Sequence, residues 1–315
     1  MLYNTGDEWR NSLNKRLSLF GMSGVGKTFI ANTLRGTKEW FHYSVDYRIG
    51  TKYLGEEIVD NFKKEAMKLP VLREHLLNDS IYISSNITFN NLSPLSSFLG
   101  KPGNHNSGGM PLEEYLNRQR KHRSAEIAAT IDTKLFAKKA REIYGYSHFI
   151  SDTSGSLCEI VDPENANDKV LNSLQKSTLP VWIKGSEDQA EDLHQRFVKS
   201  PKPMFYNETF LQKKWGEYCK ENNQSPTDVD PDRFMSYGFK ALIMHRIPIY
   251  SKIAQYWGVT VDASEISKLS SEAQDLNNHY SKKLIRSIND FGTDLKNSLI
   301  SESTSSTILL DTSEF

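Results

Sequence analysis

Residues 16–28 read RLSLFGMSGVGKT, so a short apolar segment leads directly into the pattern G-x-x-x-x-G-K-T. The apolar part predicts a buried strand, and the glycines allow backbone N–H groups to turn inward around a phosphate. In this pattern Lys27 reaches the β and γ phosphates, and the hydroxyl of Thr28 ligates Mg²⁺. Residues 29–34 predict a helix whose N-terminus faces the same anion. The stretch therefore predicts a nucleotide site formed by Gly21, Ser23, Gly24, Val25, Gly26, Lys27 and Thr28.

Composition narrows the class of protein. The 315 residues include 39 basic and 39 acidic side chains, and a net charge of zero disfavours nucleic acid and anionic membranes as partners. Cys158 and Cys219 are far apart and lack a partner motif, which fits a reducing cytosol. No segment resembles a signal peptide or reaches the length of a membrane span. We expect a cytoplasmic protein without a membrane partner.

Four more apolar segments, separated by helical patterns, predict strands: 40–49, 144–150, 179–184 and 259–261. This alternation predicts an α/β fold with a five-stranded parallel sheet and helices on both faces. Ligands bind at the carboxyl ends of such strands, so Asp46 and Arg48 are expected to face the phosphate loop. Asp152 follows the third strand as a Walker B carboxylate does, which makes Thr28 and Asp152 the expected Mg²⁺ ligands.

The long segment between the second and third strands, residues 51–145, predicts a mostly helical insert. Helical spacing covers 56–77 and 111–140. Residues 80–89 alternate as in a strand or an extended edge, and residues 92–110 have the glycine and proline content of a loop. Arg118 and Arg123 belong to a basic run at the start of the later helix. Such a run is ordinarily a solvated helix face, and the functional alternative is a grip on an anionic group.

These motifs, in this order, resemble the shikimate and gluconate kinases, small members of the adenylate-kinase-like branch of P-loop kinases. Residues 44–46 (SVD) fall where shikimate kinases have Asp-x-Asp, whose second carboxylate contacts the hydroxyl to be phosphorylated. Residues 153–156 (TSGS) fall where they have a substrate-contacting Thr-Gly-Gly-Gly turn. Arg196 and residues 202–204 resemble lid residues, and residues 246–254 resemble the closing Arg-x-Pro-x-Tyr helix near the adenine.

The resemblance covers residues 16–55, 145–205 and 240–270, about half the chain, and implies a P-loop NTPase fold. It implies γ-phosphoryl transfer from Mg·ATP to an unidentified small molecule, with Asp46 orienting or deprotonating the acceptor and Lys27 and Arg196 neutralising charge. It also implies that Arg246 contacts the nucleotide. The expected substrate-binding residues are Asp46, Arg48, Arg118, Arg123, Thr153 and Gly155. Of these, the three arginines are the candidate grips for an anionic acceptor.

Three departures separate the chain from that family. Ser44 replaces the first aspartate, Lys202 replaces a lid arginine, and the segment 51–145 is far longer, so the shikimate chemistry is not carried over. The chain also resembles bacterial proteins labelled only as ATPases that share the stretches GMSGVGKT and VDYRIG. The second functional hypothesis is therefore an ATPase that acts as a nucleotide-dependent regulatory switch, and the sequence leaves the choice between ATP and GTP open.

The predicted organisation has four parts along the chain, and the second of them contains two subregions. A polar arm (1–15) precedes a kinase-like core (16–262), which contains the insert as acceptor domain (51–145) and a lid region (185–205). An amphipathic helix (263–300) and a disordered tail (301–315) follow. The apolar stripe of that helix has two interpretations, which are packing on its own domain and formation of a homodimer or partner interface.

Overall fold

One parallel sheet carries the fold in the computed structural model, which describes residues 2–3 and 5–264, with only the backbone of 187–189. Within these residues the strands are β1 (Arg16–Phe20), β2 (Trp40–Ser44), β3 (His148–Asp152), β4 (Leu179–Lys184) and β5 (Val259–Asp262). Their order is β2-β3-β1-β4-β5, and each neighbouring pair is parallel. The predicted α/β fold with a five-stranded parallel sheet is confirmed at this level.

Helices make the connections between these strands. Those of the described residues, apart from short turns, are α1 (Gly6–Asn11), α2 (Lys27–Gly36), α3 (Val45–Arg48), α4 (Gly55–Ala66), α5 (Pro70–Leu77), α6 (Ser93–Leu99), α7 (Leu112–Ile131), α8 (Thr133–Glu142), α9 (Lys169–Ser177), α10 (Glu187–Lys199), α11 (Glu208–Glu221) and α12 (Pro231–Trp257). The helical spacing over 56–77 and 111–140 thus corresponds to the pairs α4–α5 and α7–α8.

Strand β1 is buried on both faces, which explains its nearly unbroken apolar sequence. Leu17 and Leu19 share a core with α2, whereas Phe20 belongs to a second core formed largely by α9, α11 and α12. The buried hydroxyl of Ser18 is satisfied by Thr178, at 2.7 Å between the oxygens. Burial of each large apolar side chain stabilises the fold by about 1.5–3 kcal/mol, so the two layers hold the central strand in place.

The insert packs against the β2 edge of the sheet. A third core joins Tyr43 of β2 and Phe149 of β3 to Ile58 of α4, Phe98 of α6 and Ala137 of α8. Residues 51–145 therefore share a hydrophobic core with the sheet.

Strand β2 ends earlier than the sequence pattern predicts. The hydroxyl of Ser44 accepts a hydrogen bond from the Tyr47 N–H at 3.3 Å and caps α3, and a π-helical turn, Ile49–Tyr53, continues from it. A side-chain acceptor at this position favours helix entry, so the chain leaves the sheet at once. The prediction of a strand through residue 49 was wrong, and Asp46 lies in the first turn of α3.

Two predictions for residues 80–110 were also wrong. Residues 80–89 pair with no strand of the described chain, and Tyr82, at 87% exposed, faces solvent; an alternating pattern makes a strand only where a partner edge is available. The predicted loop contains α6, because Pro94 suits the first helical turn and Leu95, Phe98 and Leu99 are buried.

The predicted C-terminal helix (263–300) and tail (301–315) lie outside the described residues from 265 onward. Among the residues that the structure does describe, no helix has the length and apolar character needed to cross a membrane.

Candidate functional site

The carboxyl ends of β1 and β3 flank a crevice. The connection from β1 runs through α2 to β2 and covers one face of the sheet. The connection from β3 runs through α9 to β4 and covers the opposite face. Connections that diverge in this way leave a crevice between adjacent strand ends, where ligands of α/β proteins bind. Leu19 pairs with Asp152 at this point, so the residues that follow β1 and those that end β3 are neighbours.

The loop 21–26 joins β1 to α2 at this crevice. Gly26 precedes α2 with a φ of 99°, a left-handed conformation that favours glycine, and a Cβ there would meet nothing within 4 Å. Ser23 and Gly24 are exposed, whereas Val25 packs between the two core layers. An apolar side chain therefore anchors the loop, while Ser23 and Gly24 remain accessible.

Lys27, the first residue of α2, points back into this loop. Its ammonium is buried and donates to the carbonyl oxygens of Gly21 at 2.9 Å and Met22 at 3.0 Å. Burial lowers the pKa of Lys27, while the carboxyl groups of Asp152 and Asp46 oppose that change. A positive charge thus lies inside the loop, beside two acidic groups.

Thr28 and Asp152 are in direct contact. The Thr28 hydroxyl donates to Oδ2 of Asp152 at 2.6 Å, across a separation of 124 residues in sequence. Burial raises the pKa of Asp152, whereas the charge of Lys27 and the bond from Thr28 lower it. The structure brings together the two residues predicted as metal ligands.

Asp46 lies on the other wall of the crevice, in the first turn of α3, and is partly exposed. Its pKa is raised to about 6 by burial and by the charge of Asp152, while Lys27 and a hydrogen bond with Ser154 act in the opposite direction. A carboxyl group with a pKa near neutrality can accept a proton during a reaction at physiological pH.

The turn 153–156 forms the floor between these groups. The Thr153 hydroxyl is buried and donates to the carbonyl of Leu19 at 2.8 Å. A Cβ on Gly155 would lie 3.0 Å from the backbone nitrogen of Ser23, so this position needs glycine for the close approach of the loop. Thr153 therefore has a positioning role, and Gly155 sets the spacing between the turn and the phosphate-loop motif.

Arg246 lies behind the turn and is fully buried. Its three guanidinium nitrogens donate to Glu159 Oε1 at 2.7 Å, to the Gly155 carbonyl at 2.8 Å and to the Phe205 carbonyl at 2.7 Å. The Tyr250 hydroxyl donates to the same Gly155 carbonyl at 2.6 Å. In this structure Arg246 supports the floor of the site, and the nucleotide contact that the resemblance implies stays a prediction.

Arg48 turns away from the crevice. Its Nε donates to Oδ2 of Asp132 at 2.9 Å, and its Nη2 lies 2.9 Å from the same oxygen. The Tyr53 hydroxyl also donates to this oxygen, at 2.8 Å. Its guanidinium also stacks over the ring of Phe136. Arg48 therefore links α3 to the α7–α8 junction.

The two predicted anion grips on α7 have different positions. Arg118 is half-buried and donates to the carbonyl of Phe98 at 2.5 Å and to Glu114 at 2.6 Å, so it joins α6 to α7. Arg123 is exposed on the helix surface. Neither guanidinium contacts the residues at the ends of β1 and β3.

The predicted lid residues belong to α10 and to the segment that follows it. Arg196 is exposed on α10 and bonds the carbonyl of Asp192 at 3.3 Å, and Lys202 is exposed in the segment that follows. Helix α10 itself approaches the loop, since a Cβ on Gly24 would lie 2.7 Å from Leu193. The helix covers this end of the loop, and its basic side chains face solvent.

Sequence reasoning missed a buried polar cluster beneath Asp46. Glu126 of α7 is fully buried, and both of its carboxyl oxygens lie within 2.9 Å of the Ser156 hydroxyl. Ser156 shares a hydrogen bond with Ser154, at 2.7 Å between the hydroxyl oxygens. The serines stood in the predicted turn, but an acidic residue within a charged helix gave no signal of burial.

Comparison with known proteins adds no family to this description. No family model matches the chain, and no curated protein is significantly similar to it.

Proposed function

We propose that this protein binds Mg·ATP at residues 21–28 and transfers the γ-phosphoryl group to a small molecule. The observation that carries the proposal is the 2.6 Å bond between the Thr28 hydroxyl and the Asp152 carboxylate, beside a glycine loop that encloses a lysine ammonium. Hydroxyl and carboxylate oxygens are hard ligands suited to Mg²⁺, and together with phosphate oxygens they form the usual Mg²⁺ site of triphosphate-binding proteins. The donor set therefore fits the ion.

The surroundings of the loop also fit a polyphosphate. Ser23 and Gly24 of the loop are exposed, and α2 begins where the loop ends. Helix N-termini and inward-turned backbone N–H groups stabilise anions. Lys27 adds the positive charge, and its present partners are backbone carbonyls, which it can exchange for phosphate oxygens without leaving a buried charge unpaired.

Each residue then has a role in phosphoryl transfer. Bound Mg²⁺ would neutralise charge on the β and γ phosphates beside Thr28 and Asp152. Lys27 holds those phosphates, and Asp46 orients the acceptor hydroxyl and takes its proton, for which a pKa of about 6 is suitable. Arg196 would contribute its charge only after α10 moves, because the side chain is exposed in the present arrangement.

Nucleotide binding tests the proposal directly. We expect the wild-type protein to bind Mg·ATP in calorimetry, and Lys27→Ala to bind about tenfold to a hundredfold more weakly, since a charged hydrogen bond contributes about 1.5–3 kcal/mol. Lys176→Ala, which removes an exposed lysine of α9, is the matched control and should bind as wild type does. Circular dichroism would verify that each variant is folded.

Two results would refute the assignment. One is a wild-type protein that binds neither ATP nor GTP in the presence of Mg²⁺, and the other is a folded Lys27→Ala variant with wild-type affinity. If binding is confirmed, the measurement of ATP consumption against a library of small metabolites would identify the acceptor.

A further inference from the structure

Residues 67–86 of the insert expose many apolar side chains to solvent. The structure describes every residue of this segment, and none of them is buried. Leu69, Val71 and Leu77 are 56%, 68% and 67% exposed. Single exposed apolar residues are common on protein surfaces, but a concentration of them marks a place where another element or molecule binds.

Helix α5 lies within this segment and lacks the packing that a helix of its length needs. It has eight residues, and none of them is buried. Isolated helices shorter than about 12–15 residues are marginal in water, and most helices in proteins are stabilised by the packing of an apolar face. Leu72 and Leu76 are one turn apart and only half-buried, so they form an incompletely covered face.

A groove of about 690 Å³ lies beside α5 and is bounded by α4, α5, residues 83–86 and the start of α6. We call it the insert groove. Its volume lies within the range of about 300–1,000 Å³ that is usual for ligand clefts. Glu65 and Lys68 also border the groove, and they form a salt bridge with each other at 2.7 Å. The apolar residues that line the groove are Phe62, Ala66, Leu69, Leu72, Ile83 and Pro94. The insert groove therefore fits apolar side chains and does not select a strongly charged partner.

The chain contains a segment of matching chemistry beyond the described residues. In the predicted amphipathic helix (263–300), Leu284, Ile288, Phe291 and Leu295 follow one another at steps of four, three and four residues, which places them on one face of a helix. Residues 265–299 include five acidic and five basic side chains, so this segment has no net charge either. A helix with such a face needs an apolar surface to cover it.

The C-terminal segment and the insert leave the sheet at the same edge. Residue 264 follows β5, and α4 follows the π-helical turn after β2; because the strands are parallel, both connections begin at the carboxyl edge. Four strand spacings separate β5 from β2, a distance of about 19 Å. The 35 residues of 265–299 would extend over about 52 Å as a helix. The segment is therefore long enough to reach the insert, and the covalent connection favours its own chain over a second copy.

We propose that residues 284–295 dock as an amphipathic helix in the insert groove of the same chain. Their apolar face covers Leu72 and supplies the packing that α5 lacks. The proposal goes beyond nucleotide binding and does not depend on it, so its test uses the full-length protein without ligand.

Hydrogen exchange measured by mass spectrometry tests the docking from both sides. In wild type we expect protected amides in α5 and in residues 284–295. Phe291→Asp places a charge on the docking face and should accelerate exchange in α5 about tenfold or more, because the cover is lost. Leu72→Asp should accelerate exchange in residues 284–295 to a similar extent. The amides of β1 are the internal reference, and they should stay protected in both variants.

Two controls add the same charge elsewhere. Thr293→Asp lies on the opposite face of the predicted helix, and Asn90→Asp is an exposed substitution of the insert outside the residues that line the groove. Both should exchange as wild type does. Unprotected α5 amides in wild type would overturn the proposal. An unchanged rate in Phe291→Asp would also overturn it, and so would an equal acceleration in Thr293→Asp.

Cross-linking identifies the chain that supplies the segment. A photoreactive benzoylphenylalanine at position 72 should give, on illumination, a product of monomer mass in which residue 72 is joined to residues 276–299. A product of dimer mass would overturn docking within one chain and assign the insert groove to a second copy. Absence of any product with residues 276–299 would overturn the choice of segment and leave the groove to a different partner.

Discussion

Replacement of Arg246 by methionine tests whether this arginine supports the site from behind. Methionine is flexible and apolar, and it can fill much of the buried volume without offering a hydrogen-bond donor. The substitution leaves the Glu159 carboxylate buried without its cation and removes one donor each from the carbonyls of Phe205 and Gly155. The Gly155 carbonyl keeps the Tyr250 hydroxyl at 2.6 Å, so the greater loss is at Glu159.

The expected loss of stability is about 4 kcal/mol. Removal of one partner from a buried ion pair costs about 3–5 kcal/mol. The Phe205 carbonyl also loses its donor, but costs at neighbouring groups do not simply sum. Proteins are ordinarily stable by about 5–15 kcal/mol, so the variant should fold but unfold at a much lower urea concentration. Equilibrium urea unfolding at pH 7, followed by circular dichroism, measures the change.

The difference in folding stability between wild type and Arg246→Met should depend on pH. Burial alone would raise the pKa of Glu159, but the charge of Arg246 and the hydrogen bonds from His245 and Arg246 lower it overall. In wild type the stabilisation is therefore present above the unfolded pKa of about 4.5 and is lost as pH falls through the folded value. In Arg246→Met the buried carboxylate loses its guanidinium and keeps the imidazole of His245, whose Nε2 is 3.5 Å from Oε2. Its pKa should then rise toward or above the unfolded value, so the stability gap should narrow as the solution is acidified.

The double variant Arg246→Met/Glu159→Gln completes the test. Because the glutamine carries no buried charge, the double variant should recover about 2 kcal/mol or more relative to Arg246→Met alone. A single variant within 1 kcal/mol of wild type, or a double variant no more stable than the single, would refute the structural role. Unchanged stability together with lost ATP binding would restore the nucleotide contact that the kinase resemblance implies.

Two further predictions concern the crevice. Asp46→Asn should spare Mg·ATP binding and suppress acceptor-dependent turnover. In wild type that turnover should rise with pH through about 6, because the Asp46 carboxyl ionises there. Unchanged turnover of Asp46→Asn at saturating acceptor would favour the regulatory ATPase. Gly155→Ala should weaken nucleotide binding about tenfold, because the new Cβ presses on Ser23 and overpacking costs about 1–3 kcal/mol. Gly216→Ala is the control, since a Cβ at that position meets no atom within 4 Å. It should bind as wild type does in the same calorimetric assay.

The sheet and the loop could be predicted because their signals are local. Strands β1 and β4 are short apolar runs buried on both faces, and the glycine, lysine and threonine positions of 21–28 lie within eight residues. Asp152 was predicted from its place after a strand, and the parallel register brings it to Thr28. Where chemistry and spacing are contained in one segment, the sequence is sufficient.

The partners of the arginines could not be predicted, because they are distant in sequence. Arg48 binds Asp132 across 84 residues, and Arg246 binds Glu159 across 87. A sequence pattern shows that an arginine is present near a strand end or on a helix, but only the packing of helices determines which carboxylate it meets. Glu126 illustrates the same limit, since burial within a charged helix depends on the elements that cover it.

The turn 153–156 connects the rigid half of the site to its surroundings. Thr153 bonds β1 through the Leu19 carbonyl, and the Gly155 carbonyl is held by two donors from α12. A ligand cannot widen this turn without breaking buried hydrogen bonds, each of which costs about 1–3 kcal/mol when left unmade. Arg196, by contrast, is exposed on α10, and its hydrogen bond to the Asp192 carbonyl lies within that helix. We therefore expect the structural adaptation that accompanies ligand binding to occur in α10, while Asp46, Asp152 and the turn keep their positions.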